Sequence, residues 1–226
     1  MTSAENPEGP WAPLTHVAKV PKWEDPCPFW DEDGNAYLGR SIWGAGPIII
    51  HRMSPDGTKL LDEGRTVYTG PVAEGTKIHK KDGYYYLYFK EDLTQKIAYV
   101  KSKNLTGPYN QDYTICSLNW WGVEGSTMYR INGTNAWMMI MDEYGQDSYF
   151  AQMTRDFKNF RRVQRSTYSM DHLKPRHGSV VKITDEEYNR LLEYSGEITS
   201  SSFPETEDLT DHLVGRYFTT ADYTYN

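Results

Sequence analysis

Ala73-Glu74-Gly75-Thr76 and Val123-Glu124-Gly125-Ser126 set a carboxylate before a glycine at the heads of two similar segments, 50 residues apart. Laid together, AEGTKIHKKDGYYYLYFKEDLTQKIAYVKSKNLTGPY and VEGSTMYRINGTNAWMMIMDEYGQDSYFAQMTRDFKNF share Glu-Gly, a β-rich run, a turn at Asp82-Gly83 or Asn132-Gly133, an aromatic strand and a closing turn with Asp or Asn. A looser third copy, EDPCPFWDEDGNAYLGRS, aligns from Asp25, 49 residues before Glu74, and turns at Asp33-Gly34. Repeats of this length belong to propeller blades or solenoid units, because one such unit cannot bury its apolar face alone.

Asp-Gly and Asn-Gly between alternating apolar runs are hairpin signals, since both central residues of a type I′ turn need positive φ. Each copy therefore reads as an antiparallel meander. The expected fold is all-β, with blade-like units at residues 23–66, 67–112, 113–162 and 174–226 of a single domain, 1–226. One short helix is expected near 184–194, where Thr184 caps, Glu187 completes a capping box, and Tyr188, Leu191 and Leu192 share a face. Residues 195–208, rich in Ser, Thr and Glu, read as a linker or long loop, and LVGRYFTTADYTYN after them regains strand character.

The net charge of −7 and the lack of a basic patch argue against a nucleic-acid partner. No apolar run approaches the roughly 18 residues of a membrane span, so no membrane partner is expected. No secretory leader opens the chain, and a secreted and a cytoplasmic location both stay open. Cys27 and Cys116 are too few for a disulfide framework and lack metal-ligand spacing, so both are expected to be buried small hydrophobes.

The innermost strand of every propeller blade points its first residues toward one end of the central channel, which brings the acidic heads together. Carboxylates gathered in this way suit glycoside hydrolysis. One is held protonated to donate to the leaving oxygen, and another is ionised to activate water or tune its neighbour. Like charges crowded together raise one pKa, so the cluster can supply its own acid.

At these residues the chain resembles glycoside hydrolase family 43, five-bladed β-propeller enzymes acting on xylans, arabinoxylans and arabinans. DPCPFWDEDGNAYLGRS and GPIIIHRMSPDGTKLLDEGRTVYTGPVAEGTKIHKKDGYYYL carry the resemblance over about Trp23 to Leu87. It implies that Asp25 modulates the pKa of the acid, that Glu74 is the general acid, and that a base aspartate should precede both. From Tyr88 onward the chain resembles another branch of the family through KED at Lys90–Asp92, VEGS at Val123–Ser126 and KPRHGSVVKI at Lys174–Ile183. There Glu124 takes the acid's place and Glu74 the modulator's. ENPEGPWAP at Glu5–Pro13 resembles the outer strand of a preceding blade, so the propeller is expected to be N-terminally incomplete, a hybrid of two branches, or rearranged. Asp222 in ADYTY loosely resembles the base motif of a first blade.

The same resemblance places His177 beneath the active centre, where family members use a histidine near a metal ion or water. No cofactor is required, and a calcium ion near His177 is the one it allows. Arg176 beside it, with Trp120 and Trp121 before Glu124, are the candidate substrate-binding residues, the two aromatics as a sugar-stacking wall or as packing. Asp31, Glu32 and Asp33 read as solvated hairpin residues, and Tyr84, Tyr85 and Tyr86 mainly as sheet packing.

The function expected is inverting hydrolysis of terminal arabinofuranosyl or xylosyl linkages, with a plant cell-wall oligo- or polysaccharide as partner. The alternative is a catalytically impaired carbohydrate-binding or structural propeller fragment that lacks the base. Missing blades would expose a sheet edge and favour homo-oligomers.

Overall fold

The computed structural model describes residues 1–18, 22–42, 44, 46–70, 73–146, 148–168, 170 and 176–195. Where the sequence reads as one domain, these residues fall into two compact units: residues 17–179, and residues 1–16 with 180–195.

The larger unit consists of three four-stranded antiparallel meanders, each with its strands in sequence order. The first holds β1 (Trp23–Trp30), β2 (Ala36–Ile42), β3 (Ile48–Met53) and β4 (Arg65–Tyr68). The second holds β5 (Ala73–Lys81), β6 (Tyr84–Glu91), β7 (Lys96–Ser102) and β8 (Thr114–Ile115). The third holds β9 (Glu124–Arg130), β10 (Trp137–Glu143), β11 (Ser148–Thr154) and β12 (Phe160–Arg162). Most of the expected fourth unit, residues 196–226 with Asp222, lies outside the described residues, as do His172, Lys174 and Pro175.

Strand alternation explains how the sheets stack. On β6, Tyr85, Leu87 and Phe89 enter one buried cluster with Ile48, Ile50 and Tyr68 of the first sheet. Tyr86 and Tyr88 enter a second cluster, with Met128, Met139, Met141 and Phe150 of the third sheet. The middle sheet is thus buried on both faces. Cys27 and Cys116 are buried, unpaired thiols in different clusters.

All three expected hairpins form, with different turns. Asp82 and Gly83, at φ 51° and 72°, make the two-residue turn between β5 and β6. Asp33-Gly34 and Asn132-Gly133 instead lie inside longer loops, 31–35 and 131–136, where only the glycine has positive φ. Thr134 donates to the Ile131 carbonyl and closes the longer connection. Asp31 is not a solvated turn residue: it takes Lys80 Nζ at 2.7 Å and the Tyr85 hydroxyl, tying the first hairpin to the second sheet.

A β-bulge interrupts the head of each inner strand, with the register shifting after Glu24, after Glu74 and beside Glu124. Asp25, Gly75 and Gly125 occupy the bulges at φ 48°, 68° and 54°. The structural period is therefore 50 residues throughout. It runs through Glu24, Glu74 and Glu124, and Asp25 stands where the later copies have glycine. The alignment from Asp25 is one residue out of phase, because sequence comparison matched carboxylate to carboxylate and the backbone matches bulge to bulge.

In the smaller unit, α1 spans Asp185–Ser195. Its capping box is reciprocal: Glu187 N donates to Thr184 Oγ1 at 3.2 Å, and Thr184 N to Glu187 Oε2 at 2.7 Å. Leu192 is buried, Tyr188 and Leu191 are half-buried, and Arg190 ties the helix to Glu8 and Asn6.

Candidate active site

The bulges turn the heads of β1, β5 and β9 so that Asp25, Glu74 and Glu124 enter one charged network within the larger unit. Asp25 Oδ2 accepts the backbone N–H of Gly75 at 2.9 Å, which couples the first inner strand to the second. Glu74 Oε1 lies 2.7 Å from Lys90 Nζ on β6, its cross-strand neighbour. The same ammonium lies 3.0 Å from Asp92 and 3.3 Å from Glu124 Oε2. Glu124 Oε1 also meets Arg176 at 2.5 Å and His177 Nε2 at 3.1 Å, and His177 Nδ1 stands 3.7 Å from Asp25. Arg176 Nε pairs with Asp142 of β10, the buried residue opposite Glu124, at 2.5 Å.

The network separates the carboxylates electrostatically. Burial pushes Glu124 up, but the His177 and Lys90 contacts outweigh it and hold the group down at about 2. Burial likewise pushes Asp25 up, but the nearby His177 and the Gly75 N–H outweigh it and hold the carboxyl below its ordinary value. Asp142 moves upward because burial exceeds what Arg176 returns. Hydrogen bonds to Asp25 and Glu124 raise His177 to about 9, so its imidazolium persists through neutral pH. Lys90 is raised too, its carboxylate partners overcoming the burial that opposes them.

The structure brings Asp25, Glu74, Glu124, Arg176 and His177 together. It places Trp120 elsewhere: this exposed indole lies under the Arg162 guanidinium, 4.2 Å from the ring centroid, on the outermost strand β12. Three strand spacings of about 4.8 Å put that strand roughly 14 Å from β9. Trp121 is exposed in the loop before β9, its carbonyl accepting from the Asn119 amide. Sequence reasoning gave no role to Lys90, Asp142 or Glu24. Lys90 and Asp142 become neighbours through cross-strand pairing, while Glu24 was within reach of the strict 50-residue count.

Glu124, Asp142 and His177 offer donor atoms within 4.8 Å of one another. Calcium takes 6–8 oxygen ligands. Here two carboxylates are bridged by the Arg176 guanidinium, and the third donor is a nitrogen already bonded to Glu124. The residues present do not fit a resident calcium ion, because Arg176 occupies the place of the cation.

The sequence profile of glycosyl hydrolases family 43 matches residues 1–171. A protein of Xylanibacter ruminicola provisionally named beta-xylosidase is 60% identical over 113 residues, covering 49% of this chain and 22% of its own length. A beta-xylosidase of Formosa agariphila is 36% identical over 120 residues, 46% of this chain and 20% of that protein. The chain spans about a fifth of the length of these curated relatives. Among solved structures, an alpha-L-arabinofuranosidase from Clostridium thermocellum aligns with TM-score 0.55 at 19% identity, over 72% of this chain and 63% of that one. A beta-xylosidase/alpha-arabinofuranosidase from a compost microbial metagenome aligns with TM-score 0.53 at 18% identity, over 71% and 63%. These likenesses establish the fold as that of the family's propeller, with three blades among the described residues.

Proposed function

Because the chain belongs to glycosyl hydrolases family 43, we propose that its site serves the hydrolysis, with inversion, of terminal xylosyl or arabinofuranosyl linkages in xylan, arabinoxylan or arabinan. The observation that carries this reading is the convergence of Asp25, Glu74 and Glu124 from three inner strands onto Lys90 and His177. A glycosidase needs a carboxyl that gives its proton to the leaving oxygen and a second group that activates water.

Between the two candidate acids, the charge pattern favours Glu74. Glu124 contacts Lys90, Arg176 and His177, three cationic partners that oppose proton uptake, whereas Glu74 contacts Lys90. Asp25, anchored on Gly75 beside Glu74, suits the modulating role. Inversion places the working carboxyls about 6.5–9.5 Å apart, with water between the base and the sugar.

The alternative, a binding or structural propeller fragment, draws support from the three cationic contacts of Glu124 and from the engagement of Asp25 by the Gly75 N–H and the nearby His177. Release of nitrophenol from p-nitrophenyl β-D-xyloside and α-L-arabinofuranoside decides between the readings. Hydrolysis of an unactivated xylosyl or arabinofuranosyl disaccharide that falls about 10²- to 10⁴-fold in Glu74→Gln, and less in Glu124→Gln, supports the assignment. No turnover on either sugar supports the alternative.

A further inference from the structure

Ile48, Ile50 and Cys27 of the first sheet join the cluster shared with the second, and strand alternation sends Trp23, Leu38, Arg40 and His51 to the opposite face. There Trp23, Arg40 and His51 line a cavity of about 470 Å³, together with Leu60, Asp62 and Glu63 of the loop before β4. Its volume falls within the range of about 300–1,000 Å³ typical of small-molecule sites.

Arg40 gives this cavity its chemistry. The residue is only 6% exposed, and its guanidinium stacks on the Trp23 ring, 3.8 Å from the centroid. Arg40 Nε donates to His51 Nε2 at 3.0 Å. That bond fixes His51 as the neutral tautomer carrying its proton on Nδ1, which donates to the Asp62 carbonyl at 3.3 Å. The guanidinium is thus oriented from two sides, and its Nη1 is buried without a hydrogen-bond partner among the described residues. A buried cation is costly unless an acceptor or counter-charge meets it. The neighbouring acidic side chains are turned elsewhere: Asp62 Oδ1 accepts the Arg52 and Gly64 backbone N–H groups at 3.0 Å each, and Glu63 is exposed.

We propose that this cavity binds a uronosyl residue whose carboxylate is held by the Arg40 guanidinium, at a site built from none of the residues of the carboxylate cluster. A planar guanidinium matches a carboxylate with two parallel N–H···O bonds. With Nε engaged by His51, the Nη1–Nη2 edge is the one left for it. Asp62 and Glu63 weigh against a doubly charged anion such as phosphate and offer acceptors to sugar hydroxyls. Trp23 and Leu60 supply apolar surface for the sugar's C–H groups. Binding there requires no hydrolysis at Asp25, Glu74 or Glu124.

The test is a titration of the full chain with D-glucuronate at neutral pH, followed through the Arg40 Nε–H resonance in nitrogen-15 spectra and assigned by its contact with the Trp23 indole, with D-glucose as the neutral control. D-glucuronate should shift that resonance and D-glucose should not. In Arg40→Lys, which keeps the charge and loses the fork, Kd should rise about 10- to 100-fold. Glu63→Gln, at an exposed position that leaves the packing of Arg40 intact, should tighten binding by up to about 5-fold and less at high salt. An unmoved Arg40 resonance, an equal response to D-glucose, weaker binding in Glu63→Gln or unchanged affinity in a folded Arg40→Lys overturns the proposal. Inorganic phosphate that competes as strongly as D-glucuronate overturns the uronosyl assignment in favour of a simple anion site.

Discussion

Glu74 and Glu124 open the same phrase, carboxylate then glycine, on adjacent inner strands, yet the fold gives them different company. Opposite Glu74 stands Lys90; opposite Glu124 stands Asp142, and that second negative charge draws in Arg176. His177 then completes a cationic surround on Glu124. Repetition of a motif thus fixes where a carboxylate is placed, while its partners on the neighbouring strand and loop set its charge state. In a repeat protein, the functional difference between copies lies in the residues that do not repeat.

The hardest blow to this contrast is Lys90→Met, which removes a cation shared by both glutamates. Its side chain is only 8% exposed, and breaking such a buried pair typically costs about 3–5 kcal/mol. Chemical denaturation should show a loss of that order, and an unchanged midpoint would mean that the pairing contributes little.

The two bulge glycines give a finer comparison. Both have positive φ, so alanine at either carries about 1–2 kcal/mol of backbone strain. A Cβ on Gly75 would meet nothing closer than 3.6 Å, while one on Gly125 would lie 2.6 Å from the His177 ring carbon Cγ. Gly125→Ala should therefore destabilise the protein more than Gly75→Ala and displace His177 from Glu124. Equal losses in thermal denaturation would contradict the placement of that ring.

A smaller effect comes from pH. His177 is raised in the folded state to about 9 from 6.5, so its contribution is complete below 6.5 and is lost as pH rises through 9. Glu124 works in the opposite direction: held at about 2 against 4.5, its contribution is present above 4.5 and fades as pH falls toward 2. The melting temperature should decline between pH 6.5 and 9 in the wild type and flatten over that window in His177→Gln. Smallest of all is Trp120→Ala. With its ring stacked on Arg162 at the outer strand, stability should change by no more than about 0.5 kcal/mol and KM should not move.

The capping box at Thr184 and Glu187 was legible because both partners lie within one helical turn, and the two-residue turn at Asp82-Gly83 because its chemistry is local. The other two hairpins were legible as hairpins but not in turn type, since Asp31 and Thr134 add contacts that lengthen the loops. Glu24 could have been found by counting 50 residues back from Glu74, but the more conspicuous Asp25 drew the alignment one place forward.

By itself, the sequence determined the all-β repeat, its period and the acidic heads of the inner strands, because alternation, turn residues and motif spacing act over a few neighbouring positions. Only the tertiary structure decided that Lys90 lies between Glu74 and Glu124 and that Arg176 bridges Glu124 to Asp142. Those outcomes depend on cross-strand register and on a loop returning from 52 residues beyond Glu124. Electrostatic energy depends on distances in space, and separation along the chain does not record them.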